Sequence, residues 1–265
     1  MLKKVGLSVA IAVALFTSGA QANIDEVVTV ASRIDANPDQ FVGTVSVLGN
    51  DELTSVSHAH VQQALSRVAG VNLHRGNGQE YLPAVRSPVL TGAGGCGGFL
   101  MQEDGIPLRP AGFCNINELF EANTEMAQRI EVLRGPGTVL HGSNAMHGVI
   151  NIVTPEISAQ SKLGLEMGAN DYRRLKFNTG TESLGVAANI ARDGGYRDAS
   201  GFDQQKLSLR HSYKSNDIEV ESGLTLTNLN QETAGFIEGL NSYKDDSQLR
   251  LNLNPEAYRD VRSAR

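Results

Sequence analysis

The chain has 265 residues, of which 40% are hydrophobic, and its formal net charge is −6 at pH 7. A mildly acidic chain lacks the clustered Lys and Arg that phosphate binding requires, so nucleic acid is excluded as a partner. No G-x-S-x-G or P-loop pattern occurs, and His58 and His60 have no companion cysteine, so these histidines are predicted to be solvated. The sequence therefore predicts no enzyme, no cofactor and no metal site.

The N-terminus has the three parts of an export signal. Two lysines come first, residues 5–16 form an uncharged apolar run, and Ala20-Gln21-Ala22 supplies small residues for cleavage. A membrane-spanning helix is the alternative, but it needs about 20 apolar residues, and this run is much shorter. We therefore predict a signal peptide over residues 1–22. Its removal takes away two lysines and no acids, which changes the net charge from −6 to −8.

An edge strand and a mixed α/β region are predicted next. An acidic start and a β-branched run follow the cleavage site, so composition alone predicts a short edge strand over residues 24–33. Further strands are predicted at 45–48 and 71–75. Between these two, a helix is expected to begin at a cap provided by Thr54 or Ser57. Its apolar face consists of Val61, Ala64, Leu65 and Val68.

A glycine-rich stretch and two cysteines follow. Residues 92–97 formally satisfy the dinucleotide fingerprint G-x-G-x-x-G, but Pro88 precedes them and residues 98–101 after them have a strand pattern. A flexible glycine loop is therefore favoured over nucleotide binding. The chain has only two cysteines, Cys96 and Cys114, and an even number in an exported chain favours a disulfide. Free thiols are the alternative.

The most informative passage consists of two strands separated by glycine-bearing loops. Residues 129–137 read Arg-Ile-Glu-Val-Leu-Arg-Gly-Pro-Gly, and residues 141–154 read His-Gly-Ser-Asn-Ala-Met-His-Gly-Val-Ile-Asn-Ile-Val-Thr. This passage resembles the end of the plug domain of TonB-dependent outer-membrane receptors, where R-I-E-V-x-R-G-P and Y-G-x-x-A-x-G-G-V-I-N-I-x-T are usual. Two residues depart from that pattern, since His141 replaces an aromatic residue and His147 replaces the first glycine of the pair. Upstream segments that fall in the plug's usual order are 63–65, 68–71, 85–86 and 103–108.

The resemblance implies partners and binding residues. The segment after the cleavage site looks like a TonB box, which adds as a strand to the periplasmic coupling protein TonB through main-chain hydrogen bonds. Its residues are Asp25, Glu26, Val27, Val28, Thr29, Val30 and Ala31. By the same resemblance, the substrate contacts loops on the plug's outward face, to which we assign Arg86, Phe99, Arg109 and Phe113. A disulfide between Cys96 and Cys114 would hold one of these loops.

From residue 163 onward the sequence changes to two-residue alternation. Apolar-out, polar-in strands separated by turns are what a transmembrane β-barrel needs, and a soluble antiparallel sheet with one wet face is the alternative. The connections alternate between short and long polar segments, at 180–183, 193–203, 214–217 and 230–246. The six predicted strands lie at 163–169, 175–179, 184–190, 207–213, 218–226 and 249–253.

Six strands are too few to enclose a domain of this size, because plugged outer-membrane transporters use about 22. The chain is therefore expected to be the N-terminal part of a receptor. Its predicted fold is an α+β plug domain followed by antiparallel transmembrane β-barrel strands, with the barrel incomplete. The predicted division is a signal peptide at 1–22, TonB box and linker at 23–36, plug domain at 37–156 and barrel strands at 161–265.

The resemblance also implies a function. It is that of a receptor in the outer membrane of a Gram-negative bacterium, in contact with outer-membrane lipid, which imports a scarce nutrient with energy supplied through TonB. A ferric siderophore or similar chelate is the expected substrate, and cobalamin and glycans remain open. The alternatives are a soluble periplasmic plug-like adaptor or a non-functional truncated receptor. An exported oxidoreductase that uses the glycine-rich loop is a remote one.

Overall fold

The structure, a computed structural model, describes residues 44–89, 98–110, 113 and 118–265. These residues form an α+β unit followed by a six-stranded antiparallel sheet, which is the predicted fold class. The predicted signal peptide, TonB box and linker, the glycine-rich loop and both cysteines lie outside the described residues. Within the described part of the chain, no helix is long and apolar enough to cross a membrane.

The α+β unit is built on a mixed sheet and a separate hairpin. The sheet has the order β1-β6-β7-β4-β5, and only its β4–β7 pair is parallel. Helices and the hairpin β2–β3 pack around it. The strands are β1 (Thr44–Leu48), β2 (Val71–Arg75), β3 (Tyr81–Val85), β4 (Phe99–Glu103), β5 (Ile106–Pro107), β6 (Arg129–Arg134) and β7 (Gly148–Val153). The helices are α1 (Asn50–Val56), α2 (Val61–Leu65) and α3 (Thr138–His141), with 3-10 helices at Glu118–Glu121 and Thr124–Met126.

Tyr81 joins the hairpin to the rest of the core. Its side chain is 1% exposed, and its hydroxyl accepts the Leu119 amide hydrogen at 2.9 Å and lies 3.8 Å from the Met101 sulfur. The surrounding apolar core covers both central strands β6 and β7, whose runs of β-branched residues suit fully buried positions. Its members include Leu65, Leu73, Leu119, Ile130, Val132, Ile150 and Ile152.

The predicted single helix after β1 consists instead of two short helices. Thr54 lies inside α1, and Ser57 ends that helix in the left-handed region with φ 43°. The cap of α2 is His60, whose Nδ1 accepts the Gln62 amide hydrogen at 3.0 Å. The sequence suggested Thr or Ser because those residues are common caps, whereas an imidazole acceptor is a rare one.

The prediction that both histidines are solvated is wrong. His58 is 2% exposed and His60 is fully buried. Each ring has a polar partner inside the protein, namely the Thr124 hydroxyl for His58 and the Glu80 carbonyl for His60, both at 3.2 Å. Burial lowers the pKa of each histidine to about 4, so both are neutral at pH 7.

The second unit is an up-and-down antiparallel sheet with the order β13-β12-β11-β10-β9-β8. Each strand pairs with its neighbour in sequence, and β8 and β13 form the two edges, so the described sheet is open. The strands are β8 (Lys162–Met167), β9 (Arg173–Gly180), β10 (Leu184–Asp193), β11 (Phe202–Ser215), β12 (Ile218–Glu232) and β13 (Tyr258–Ala264).

Five of the six predicted strands are found where the alternation placed them, and the last is wrong. Residues 249–253 belong to the connection between β12 and β13. Arg197 Nε donates to the Leu251 carbonyl at 2.9 Å, which ties this segment to the preceding long loop. Strand β13 is not predicted from the sequence because Asp260 and Arg262 interrupt the apolar alternation on its exposed face.

This second sheet has a polar inside and an apolar outside, as the alternation predicted. Its inner face packs against the α+β unit, and we call strands β8–β13 the wall. Buried polar side chains on the inner face are Arg174, Asn189, Gln204, Lys206, Ser208, Thr225, Thr227 and Gln231. Exposed apolar side chains on the outer face include Leu163, Leu165, Met167, Leu184, Ile190, Tyr213 and Leu224.

The glycine pair of the plug-like passage has a steric explanation. A Cβ atom added at Gly148 would lie 2.8 Å from the Leu133 carbonyl oxygen and 3.0 Å from Val85 Cγ1. The preceding position accommodates a side chain, since the half-buried His147 ring packs 5.7 Å from the ring of Phe99. The family's second glycine is therefore required here, while its first can be replaced.

We expect Gly148→Ala to lower the free energy of unfolding of the α+β unit by about 1–3 kcal/mol, because the new methyl group overpacks β7 against backbone. A urea titration of the whole chain measures this loss. Gly223→Ala is the matched control, since a Cβ atom added at that strand glycine would have no other atom within 4 Å. It should change stability by less than about 0.5 kcal/mol. Equal effects of the two substitutions would contradict the steric explanation.

Candidate functional site at the interface of the two units

The turn between α1 and α2 is held by the wall. This turn, residues 57–60, is called the Ser57 turn below. The Arg174 guanidinium donates to the Ser57 carbonyl at 2.7 Å and to the His58 carbonyl, and it also pairs with Glu166. Lys176 Nζ lies 2.9 Å from both Ser57 Oγ and Glu166. The carbonyls that follow the end of α1 thus accept hydrogen bonds from a charged side chain of β9.

A buried ion pair lies beside this turn. Lys206 Nζ on β11 is 2.9 Å from a carboxylate oxygen of Glu125, and the two side chains are 1% and 3% exposed. Although burial by itself raises a carboxyl pKa, the Lys206 ammonium brings the pKa of Glu125 below its ordinary value. The carboxylate is therefore ionised at neutral pH, and the pair is a salt bridge across the interface.

The 3-10 segment 118–126 makes the most varied contacts with the wall. Asn123 Nδ2 donates to Ser208 Oγ at 3.2 Å, and the Thr227 hydroxyl donates to the Glu121 carbonyl at 2.6 Å. An apolar cluster reinforces these hydrogen bonds. It consists of Phe120 from the α+β unit with Ala191, Phe202 and Leu229 from the wall.

Glu121 is held by two arginines. Arg265 lies 3.1 Å from its carboxylate and also reaches Glu103 at 3.5 Å, while Arg109 forms a second ion pair with Glu121 from within the α+β unit. Glu118 is close to this group, and burial raises its pKa to about 8, with Arg109 opposing the rise. The buried carboxylate of Glu121 thus has one arginine partner from the α+β unit and one from the wall.

A third contact region lies nearer the long loops of the wall. The Gln79 amide hydrogen is donated to Gln231 Oε1 at 2.9 Å, and Arg259 on β13 pairs with Glu80 at 2.7 Å. These residues of the α+β unit belong to the tip of the β2–β3 hairpin. Contacts with the wall therefore come mostly from turns and short helices and from the end of β4, while the central strands β6 and β7 remain inside the α+β core.

The four residues assigned to substrate contact have different surroundings. Arg86 is exposed, has φ 48°, and its Nη1 lies 3.4 Å from Thr44 Oγ1. Phe113 is 63% exposed. Phe99 belongs to the buried core, so a contact with substrate would require its ring to become exposed. Arg109 is committed to Glu121.

The residues that join the two units could not be singled out from the sequence. The alternation predicts Lys206 only as a polar residue between apolar ones, and neither Arg174 nor Glu125 has a distinguishing pattern. A usable signal was available on β11, where a lysine in an inward position requires a buried anion on whatever fills the interior. The identity of the acidic residue that pairs with this lysine could not be predicted from the sequence.

We expect Lys206→Met to destabilise the packed protein by about 3–5 kcal/mol, because Glu125 would be left buried without a partner. Replacing both residues, as Lys206→Met with Glu125→Leu, should restore most of this loss. The free energy of unfolding of each variant, measured by urea titration, tests the expectation. Lys214→Met is the control, since its pair with Glu219 is 3.3 Å long and well exposed and should contribute about 0–1 kcal/mol. Similar losses in Lys206→Met and Lys214→Met would show that the buried pair is not special.

Comparison with known proteins agrees with this architecture. Residues 38–149 match the family described as TonB-dependent Receptor Plug Domain. The pyoverdine outer membrane receptor FpvA from Pseudomonas aeruginosa has the same fold, with a TM-score of 0.62 at 16% identity over 77% of this chain and 30% of that chain. The ferric citrate transporter FecA gives a TM-score of 0.59 at 20% identity, over 77% of this chain and 33% of that one. The alcaligin outer membrane receptor FauA from Bordetella pertussis gives 0.60 at 14% identity, over 78% and 35%.

The chain spans about a third of the length of these solved receptors. The likeness covers both units, since more than three quarters of the chain is matched in each case. The α+β unit corresponds to the plug, and the open wall corresponds to strands of an incomplete barrel. Receptors of this kind are transporters, not enzymes. Residues 38–149 thus match the plug domain of TonB-dependent receptors, and the wall that follows them has the fold of antiparallel barrel strands in the solved receptors of this family.

Proposed function

We propose that this chain is part of an outer-membrane receptor of a Gram-negative bacterium that imports a scarce nutrient with energy supplied through TonB. One observation supports the proposal above the others: a plug is seated on the polar inner face of a sheet whose outer face is apolar. Such a sheet fits a bilayer outside and a hydrated, protein-filled lumen inside. Outer-membrane lipid is therefore the proposed partner of the exposed apolar face, which includes Leu163, Leu165 and Met167.

The proposed substrate is a ferric siderophore or a similar metal chelate. The receptors FpvA, FecA and FauA are described as receptors or transporters of pyoverdine, ferric citrate and alcaligin, respectively. These names support the substrate class without identifying the compound. Of the four assigned contact residues, Arg86 and Phe113 have exposed side chains. We retain these two as the proposed substrate contacts on the plug.

The soluble adaptor alternative is less well supported. It requires the outer face of the wall to tolerate water, yet Leu163, Leu165 and Met167 on β8 are 68%, 71% and 85% exposed. Adjacent strands continue the same apolar face. A contiguous exposed apolar surface of this kind is typical of a membrane or protein contact.

Uptake measurements test the proposed function directly. Cells that carry the intact gene should accumulate radioactive iron from at least one member of a panel that includes ferripyoverdine and ferric citrate. Disruption of the gene, or collapse of the proton-motive force, should abolish that uptake. If disruption leaves uptake of every tested chelate and of cobalamin unchanged, import of these nutrients is not the function.

Coupling to TonB is proposed to occur through residues 25–31. Because strand addition depends on main-chain hydrogen bonds, Val28→Pro removes a backbone donor and should lower the affinity for the periplasmic domain of TonB at least about tenfold. Titration calorimetry with the whole exported chain measures this affinity. Val28→Thr keeps both the donor and the β-propensity, and it should bind like the original chain. Unchanged binding by the proline variant would rule out this segment as the TonB box.

The disulfide between Cys96 and Cys114 remains a prediction. It would close a loop of about 19 residues and stabilise the plug by about 3 kcal/mol in the chain-entropy model. Mass spectrometry of unreduced protein from the outer membrane should show neither thiol alkylated. Alkylation of both without reductant would exclude the bridge.

A further inference from the structure

His58 is a buried titratable residue at the plug–wall interface. It belongs to the Ser57 turn, whose carbonyls are bound by Arg174 from the wall. Its Nε2 lies 3.2 Å from Thr124 Oγ1, and its Nδ1, although buried, has no hydrogen-bond partner among the described residues. A neutral ring therefore occupies this position with one nitrogen unused.

The charges that face His58 make a second positive charge costly. They comprise three cations and two carboxylates, so the group already carries a net charge of about +1 with a neutral histidine. The members from each packed element are Glu125 of the 3-10 segment, Glu166 of β8, Arg174 and Lys176 of β9, and Lys206 of β11. Both carboxylates are paired with these cations, and the favourable effect of Glu125 on an imidazolium is smaller than the cost of burying that charge.

We propose that His58 makes the seating of the plug on the wall sensitive to acid: the neutral ring allows the Ser57 turn to dock on β9 and β11, and its protonation releases that turn. The released turn would leave the strands of the plug core in place, because β6 and β7 make their contacts within the plug. The inference concerns how the plug is held and is independent of what the receptor transports.

The direction of the pH effect follows from proton linkage. Burial is the largest cause that lowers the pKa of His58 from 6.5 to about 4, and Lys206, Arg174 and Lys176 act in the same direction while Glu125 opposes them. The released turn, with its ring in water, binds a proton below about pH 6.5, whereas the seated turn does not until about pH 4. Docking is therefore fully stable above pH 6.5 and weakens as the pH falls from about 6.5 to about 4.

His60 provides an internal control two residues away. It is also buried and its pKa is also lowered to about 4, chiefly by burial. Its ring, however, contacts the Gln62 amide and the Glu80 carbonyl inside the plug, and the cation that helps to lower its pKa is Arg75 of β2. Protonation of His60 would therefore destabilise α2 within the plug and leave the contacts with Arg174 intact.

Hydrogen–deuterium exchange of the receptor that contains this chain, inserted in lipid bilayers, tests the proposal. The Ser57 amide hydrogen, bonded to the Leu53 carbonyl, reports the turn, whereas the Gln62 amide hydrogen, bonded to His60 Nδ1, reports the start of α2. After correction for the intrinsic rate, exchange at Ser57 should rise on the order of thirtyfold between about pH 7.5 and about pH 5, the limit for one proton bound only in the released state. Amides of β7 should show no comparable rise.

The variants decide the matter. In His58→Gln the rise at Ser57 should shrink to less than about threefold, whereas His60→Gln should keep the full rise there. If His58→Gln does not fold, Lys176→Gln provides a second test, because removal of one facing cation makes protonation easier and should reduce the pH dependence while His58 remains. Exchange at Ser57 that is independent of pH in the original chain, or equally pH-dependent in His58→Gln or Lys176→Gln, would overturn the proposal.

Discussion

The polar inner face of the wall is the constraint on which the rest of the structure depends. The inner face of this sheet buries amides, hydroxyls and charged groups. Burial of any such group without a hydrogen-bond or ion-pair partner costs free energy. The plug supplies those partners as carboxylates and as the backbone carbonyls of its turns. The donors on Arg174, Lys206 and Arg265 meet the Ser57 turn, Glu125 and Glu121 respectively. The wall therefore needs the plug to satisfy the polar groups on its inner face.

The plug divides its two tasks between different parts of the chain. Its fold is maintained by the apolar core around β6 and β7, to which the 3-10 segment contributes Leu119 and Ala122. Its attachment to the wall depends mainly on polar groups of the turns and 3-10 helices. Beside the small apolar cluster that Phe120 forms with the wall, the attachment includes many hydrogen bonds and ion pairs. Because these interactions are directional and their desolvation cost is high, they specify one seating position without adding the stability that an apolar interface would add.

The sequence predicted the features that depend on local periodicity and missed those that depend on partners. Strand alternation predicted five strands of the wall and its polar inner and apolar outer faces, and the passage from residue 129 to 154 indicated the plug family. It missed β13, because Asp260 and Arg262 on its exposed face interrupt the pattern. It also missed the cap at His60 and the pairing of Lys206 with Glu125, since neither burial nor a partner 81 positions away leaves a periodic signal.

The polar character of the interface also explains how a plug could be stable and still be displaceable. Moving an apolar interface apart exposes area to water with no compensation, whereas separated carboxylates and guanidinium groups regain hydration that offsets much of the interaction they lose. The same reasoning predicts unequal resistance along the interface. The segment around Phe120 combines apolar packing with hydrogen bonds, while the Ser57 turn is attached to the wall through hydrogen bonds to charged donors. Separation should therefore begin at the Ser57 turn and end at the 3-10 segment.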